Sequence, residues 1–269
     1  MMIIDKERCI NCGECVRECY GHYPYWADGV VMPPQVPCLD CGHCLAVCPM
    51  EAVSLEGYDQ SEVVPLDKLQ MIPNANDLLA VLKYKRSVRR YKKTEVPRQT
   101  LEQLLEAARY SPTVGNFQTM RFAVLMENKM ALVKRAAKIL YEAKQQGHPE
   151  TDLFRPELLQ MIYEASLHDE DKLFHGAPAV IVIMDKKLSA EPGANAYIAA
   201  SRLELMAQAL GLGSCYVGLF IRAGRIDPSL YDDFHLSADY DVCLTLAVGY
   251  PKSFYRRTVP RKPLAVEWM

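Results

Sequence analysis

Hydrophobic positions along this chain of 269 residues change their period several times. From Asn76 or Asp77, either a plausible N-cap, Leu78, Leu79 and Leu82 fall on one helical face. Pro97 is placed to open a second helix, in which Leu101, Leu104, Leu105 and Ala108 repeat at helical spacing. Residues 128–146 and 156–168 also read as helices. The short apolar runs Arg121–Met126, Ala179–Met184 and Val242–Gly249 read as buried strands. Residues 194–210 form a long helix that is apolar around most of its circumference and is stopped by Gly211 and Gly213. Such a helix needs cover on nearly every side, from the centre of the fold or from a second subunit. Helices and strands alternate, which predicts an α+β or α/β sandwich.

The amino-terminal part has none of these long periods. Met50–Ser54 reads as a short return strand. Residues 58–76 read as linker, with Tyr58, Asp59, Gln60 and Ser61 followed by Pro65, Pro73, Asn74 and Asn76. We therefore expect three segments: a small domain over 1–58, a linker over 59–76 and a larger domain over 77–269.

Eight of the ten cysteines lie in the small segment, as two copies of one spacing. Cys9, Cys12, Cys15 and Cys19 form the first, and Cys38, Cys41, Cys44 and Cys48 the second. Each reads C-x2-C-x2-C-x3-C, the spacing that holds two [4Fe-4S] cubes with the fourth cysteine of each run crossing to the other cube. The expected ligand sets are Cys9, Cys12, Cys15 and Cys48 for one, and Cys38, Cys41, Cys44 and Cys19 for the other. Gly13 and Gly42 occupy the same place in each loop, where the absence of a Cβ lets backbone amides approach sulfur. The fourth cysteine is expected at the start of a short helical turn, ended by Pro49 in the second copy, where the first has Tyr20. Zinc knuckles and a disulfide framework are the competing readings. Zinc ribbons separate their C-x2-C pairs widely. Met1–Ile4, followed by Asp5, is too short for the apolar core of a signal peptide, which points to a reducing cytoplasm. This segment resembles the bacterial two-cluster ferredoxin family. Cys215 and Cys243 lie in apolar contexts and read as inert core residues.

Composition narrows the partners. Thirty-one basic and 33 acidic residues nearly cancel, which disfavours nucleic-acid binding through bulk positive charge. No apolar run reaches the length of a membrane span. His22, His43 and His148 show no metal-ligand pattern and suit surface or structural roles.

In the larger segment, Lys85, Arg86, Ser87, Arg89 and Arg90 follow the first helix, where cations suit the negative end of its dipole. They form either a solvated helix end or an anion clamp. Asn116 and Gln118 stand in a polar turn before the first strand. His175-Gly-Ala-Pro178, the Gly211–Gly218 stretch, Gly249-Tyr-Pro251 and Pro260-Arg-Lys-Pro-Leu264 follow in order. This ordered series resembles the FMN-dependent nitroreductase family over residues 77–269, so the whole chain looks like a ferredoxin–nitroreductase fusion.

The resemblance implies a nitroreductase-like α/β sandwich, within the α+β class, that forms a homodimer with FMN at the subunit interface. By position it implies that Lys85, Arg86, Ser87 and Arg89 hold the flavin phosphate and ribityl chain. Asn116, Gln118 and Arg121 would meet the flavin ring, and Gly218 and Leu219 would face its reactive nitrogen. Arg261 and Lys262 would complete the phosphate site, with Arg256 and Arg257 as alternatives. Thr119 and Met120 replace the usual proline and tryptophan. No side chain is assigned as catalytic acid, base or nucleophile. Residues 141–175 read either as a helical cover over the flavin or as an exposed helical hairpin. A low-potential donor such as ferredoxin would feed the clusters, and a small electrophilic acceptor (a nitroaromatic, quinone or activated alkene) would take the electrons. The alternatives are a carrier serving a protein acceptor, or a flavin reductase using NAD(P)H beside a structural metal module.

Overall fold

The structure, a computed structural model, describes residues 1–65, 73–127, 129–187 and 193–269. The chain divides into two compact units: Met1–Pro73 with Thr113–Phe117, and Asn74–Pro112 with Gln118–Met269.

The first unit is built from very short elements. Strand β1 (Met2–Ile4) pairs antiparallel with β4 (Val53–Leu55), so the beginning and end of the cysteine-bearing segment lie side by side. The return strand thus starts later than the sequence suggests. Glu51 adopts a left-handed conformation (φ 49°) and turns the chain before Val53. Strand β2 (Tyr25–Ala27) pairs with β3 (Val30–Met32) between the two cysteine runs. Helices α1 (Glu14–Glu18) and α2 (His43–Ala46) each follow a left-handed glycine. The apolar cluster within comprises Met2, Cys15, Val31, Val53 and Leu55.

The second unit is organised on an antiparallel sheet of β5 (Arg121–Leu125), β6 (Ala179–Lys186), β7 (Gly213–Tyr216) and β8 (Tyr240–Gly249), in the order β5-β6-β8-β7. Strand β6 is buried on both faces because its alternate side chains enter two different cores. Val180, Val182 and Met184 pack with α5 (Lys129–Gln145), α6 (Pro156–Leu167) and α8 (Gly218–Ile226). Ala179, Ile181 and Ile183 pack with α4 (Arg98–Arg109) and α7 (Ala194–Ala209). The α/β sandwich expected from the alternation is the fold observed.

Boundaries moved for identifiable reasons. Asn74, rather than Asn76 or Asp77, caps α3 (Ala75–Tyr84), accepting a hydrogen bond from Asp77 N at 3.0 Å. Pro97 stands just outside α4, its extended ψ of 143° placing its carbonyl to receive the first helical bonds. Helix α7 ends as expected, with Gly211 left-handed at φ 71°. It is chiefly a core helix: Ala196, Ala199, Ala200, Leu203 and Ala207 are buried, while Tyr197 and Ile198 remain exposed. Residues 141–175 are a hairpin, but not an exposed one. Leu159, Ile162, Leu173 and Phe174 enter the core, and Tyr141 stacks on Tyr163 at 4.7 Å. No described helix is long and apolar enough to cross a membrane.

Candidate functional site

The two cysteine runs adopt one backbone pattern twice. Asn11 and Asp40 are left-handed (φ 54° and 47°), and so are Gly13 and Gly42 (φ 74° and 79°), the residues preceding α1 and α2. A Cβ on Gly13 would also collide with the Trp26 indole. The succession of turns curls each loop so that its thiols face inward, with the third cysteine on the helix. The fourth cysteine follows that helix rather than opening it: Cys19 caps the end of α1, and Cys48 lies just beyond α2. The expected placement of the helical turn is corrected accordingly. Tyr20, at Pro49's place, is 94 % exposed and so breaks no packing.

The thiols sort into two cavities. One, of about 20 Å³, is lined by Cys9, Cys12, Cys15 and Cys48 together with Ile4, Val31 and Val53. The other, of about 40 Å³, is lined by Cys19, Cys38, Cys41 and Cys44 together with Met2, Pro24 and Leu55. The fourth cysteine of each run has crossed to the other run's cavity. Each crossing thiol receives a backbone amide from four residues on, Tyr23 N to Cys19 Sγ at 3.4 Å and Ala52 N to Cys48 Sγ at 3.3 Å. Burial raises the Cys15 thiol pKa, and neighbouring cysteines add to the shift; the same causes push Cys44 up to about 11. Such thiols lose their protons when a cation binds. Of His22, His43 and His148, His43 Nδ1 approaches Cys41 Sγ at 3.2 Å and His148 accepts from Glu150 N.

In the second unit the cationic run leaves α3 and passes beside β7, where Val88 N donates to Ser214 O at 2.9 Å and Ser87 bridges Ser214. Lys85 forms an ion pair with Glu204 of α7 and lies 5.7 Å from the Tyr216 ring centroid. Arg86 donates to the carbonyls of Lys85 and Lys83, while its buried Nε has no hydrogen-bond partner. Arg89 is exposed, and its charge acts on Cys215 and His175. Tyr255 closes on this run: Tyr84 Oη donates to its carbonyl at 2.7 Å and its own hydroxyl reaches Ser87 O at 3.5 Å. Tyr84, Lys85, Arg86, Glu204, Ser214 and Tyr255 line a cleft of about 60 Å³.

The other expected flavin residues are more dispersed. Gly218 and Leu219 open α8, whose N-cap Val217 offers no side-chain hydrogen bond. They adjoin a cleft of about 260 Å³ lined by Tyr197, Tyr216, Gly218, Arg222 and Cys243. Arg121 lies 5.5 Å from the Tyr240 ring centroid, and Gln118 is exposed and left-handed. Arg261 and Lys262 are exposed in a carboxyl-terminal stretch without regular structure, as are Arg256 and Arg257. Asn116 belongs with the first unit, and its amide donates to the carbonyls of Leu39 and Asp40. A cavity of about 670 Å³ between α8 and β8 is lined by none of these residues. Cys215 is buried as expected. Cys243 is not: it is half-buried beside two cavities, with its thiol pushed up to about 11 by burial. The sequence reading missed Glu204, although its signal was available: it is the one carboxylate in a mostly apolar helix, and a buried acid needs a cation.

A profile described as the nitroreductase family matches residues 82–250. The chain belongs to the nitroreductase family. Ahead of its nitroreductase domain, residues 1–49 match a profile described as a 4Fe-4S dicluster domain. The protein is thus a fusion of the two and an oxidoreductase of this family. A protein of Archaeoglobus fulgidus that bears the provisional name NADH dehydrogenase/NAD(P)H nitroreductase is 26 % identical over 180 residues, covering 65 % of this chain and 86 % of the relative. A nitroreductase from Bacteroides fragilis solved with bound FMN superposes with a TM-score of 0.57 at 20 % identity, over 71 % of this chain and 99 % of that one. A nitroreductase from Desulfitobacterium hafniense, also solved with bound FMN, gives 0.55 at 20 % identity over 73 % and 100 %. These two likenesses establish the fold.

Proposed function

We propose that this nitroreductase takes electrons singly from a low-potential donor such as reduced ferredoxin and delivers them to a small electrophilic acceptor, a nitroaromatic, quinone or activated alkene. When bound, two [4Fe-4S] cubes supply the one-electron relay and FMN supplies the two-electron exchange with substrate. The observation that carries this reading is the sorting of eight cysteines into two four-thiol cavities within a nitroreductase chain.

The protein's own residues have definable tasks. Cys9, Cys12, Cys15 and Cys48 hold one cube, and Cys19, Cys38, Cys41 and Cys44 the other. Main-chain amides at Tyr23 and Ala52 offset the charge on the crossing sulfurs. For FMN, the fit rests on Arg86: a buried guanidinium nitrogen without a partner, at the rim of a small polar cleft, suits a phosphate group. Lys85, Ser87 and Arg89 would complete the clamp, with Arg261 and Lys262 as further candidates from the tail. Glu204 holds Lys85 in a fixed place. Gly218 and Leu219 would present backbone to the ring, and Gln118 and Arg121 would border it. Asn116 is left out of this set because its amide is engaged elsewhere.

A homodimer is part of the proposal. Leu78, Leu79 and Leu82 of α3 are all exposed, and so are Tyr197 and Ile198 of α7. Apolar surface of this kind favours association. The protein is expected in the cytoplasm. NAD(P)H is the second candidate donor, favoured by the name of the Archaeoglobus relative.

Protein purified without oxygen should contain iron and acid-labile sulfide in equal amounts, about eight of each per chain. Absence of sulfide would end the proposal. Arg86→Ala should lose flavin and keep its iron; full flavin retention removes Arg86 from the clamp. Reduction by ferredoxin and by NADH, compared anaerobically, identifies the donor.

A further inference from the structure

Asn116 lies in a turn that packs with the cysteine-bearing unit, although its neighbours Pro112 and Gln118 belong to the other unit. Its Nδ2 donates to Leu39 O at 3.0 Å and to Asp40 O at 3.1 Å. Leu39 and Asp40 are the two residues between Cys38 and Cys41. We infer that Asn116 is a positioning residue that sets the reduction potential of the centre held by Cys19, Cys38, Cys41 and Cys44, and of that centre selectively. The inference rests on the iron–sulfur reading above.

The placement of Asn116 is tightly determined. Asn116 N donates to Thr113 O at 3.0 Å and Phe117 N to Val114 O at 3.1 Å, closing a short turn. Gly115 and Asn116 are both left-handed, at φ 56° and 53°. Asparagine tolerates this conformation better than most residues, and a held, strained backbone is found where surroundings over-determine it. The side chain can therefore act as a fixed donor.

Its effect on the loop follows from peptide polarisation. A carbonyl that accepts a hydrogen bond makes the N–H of the same peptide a better donor. The peptides concerned carry the N–H groups of Asp40 and Cys41. Asp40 is left-handed, a conformation that turns successive N–H groups toward a common concave side where anions bind. Hydrogen bonds to cluster sulfur help set the potential. Reduction adds negative charge to a centre, so stronger donors favour the reduced form and raise its potential. Loss of the Asn116 amide should lower it.

The first run is braced differently. Arg17 donates to Cys12 O at 3.0 Å, and the Asn11 side chain accepts from Val31 N at 3.0 Å. Both partners lie within the run itself or on β3. In both runs the first thiol donates to the side chain two residues on, Cys9 to Asn11 and Cys38 to Asp40, but the donors on the loop carbonyls differ, so a change at residue 116 should reach one centre and spare the other.

The test uses the full chain purified anaerobically with both centres loaded, titrated with redox dyes while EPR follows each centre. In Asn116→Ala one midpoint should move to more negative potential, equivalent to about a two- to fivefold lower ratio of reduced to oxidised centre at fixed applied potential. The other midpoint should stay in place. Asn116→Asp, which sets a carboxylate against the two carbonyls, should move the same midpoint further. Asn116→Gln, which keeps a donor amide, should restore part of the shift. Cys38→Ser identifies the affected centre as the one it perturbs. Midpoints that do not move in Asn116→Ala and Asn116→Asp, or that move together, overturn the inference while leaving the iron–sulfur reading intact. Wild-type protein without iron and sulfide overturns both.

Discussion

The two units of this nitroreductase reach a folded state by different means. In the second, both faces of a four-stranded sheet are covered, and Phe174, Phe220, Leu203, Leu246 and other large side chains are fully buried. In the first, strands have three residues, helices have four or five, and the apolar cluster is Met2, Cys15, Val31, Val53 and Leu55. A piece of that size seldom buries enough apolar surface to fold unaided. The two thiol-lined cavities stand at its centre, where the clusters they suit would supply the missing burial. The lesson is that the reactive centres of the first unit are also its core, whereas the second has a core independent of its site.

The largest effect expected from this contrast is on metal removal. Stripping iron with an oxidant and chelator should abolish amide-exchange protection over Met1–Glu56 while the β6 and β8 amides stay protected. Persistent protection of β1 and β4 in iron-free protein would show that the first unit folds from its apolar residues. Next comes Phe174→Ala. Phe174 is fully buried with its ring 5.3 Å from Phe220, so truncation should cost the second unit about 3–5 kcal/mol by denaturant titration. Iron content should not change.

A smaller effect is expected from Gly224→Ala in α8. The added methyl would collide with the Tyr231 ring, which overpacks the site at about 1–3 kcal/mol. The smallest effect is a pH dependence. Burial, with help from Arg89, lowers the His175 pKa below its ordinary 6.5. The neutral imidazole is the form favoured in the fold, so its contribution is fully present above pH 6.5. It declines as pH falls through the lower folded value. His175→Gln should flatten that part of the profile of the second unit and leave iron release unchanged.

Legibility differed between the units for the same reason as their stability. The cysteine spacing anticipates the sorting of the thiols into two cavities because a cube fixes where four sulfurs must lie, and the chain between them has little freedom. The helices and strands of the second unit were readable from their periods. Strand β6, for example, could be recognised as buried, but not which of its residues faced which core, since both faces are apolar. The proposed clamp was harder. The order of motifs pointed to Arg86, yet its orphaned Nε appears only in three dimensions. Tyr255 meets Tyr84 and Ser87 across 171 and 168 positions, a separation no local pattern encodes. The position of the fourth cysteines relative to α1 and α2 was misjudged because four- and five-residue helices are too short to show a period. Asn116 has a contact that no pattern announced: a turn asparagine before a strand gives no sign that its amide will donate to residues more than seventy positions earlier.

The turn at Thr113–Phe117 has a consequence for how such a protein can be taken apart. A single scission in the stretch before Pro73 severs the obvious connection, yet five residues of the downstream fragment remain integral to the upstream one. Excising the cysteine-bearing module from its gene would strip those residues of their neighbours, and transplanting it alone would leave Leu39 and Asp40 without their donor. The two modules can be inherited or engineered as a pair far more readily than exchanged one at a time.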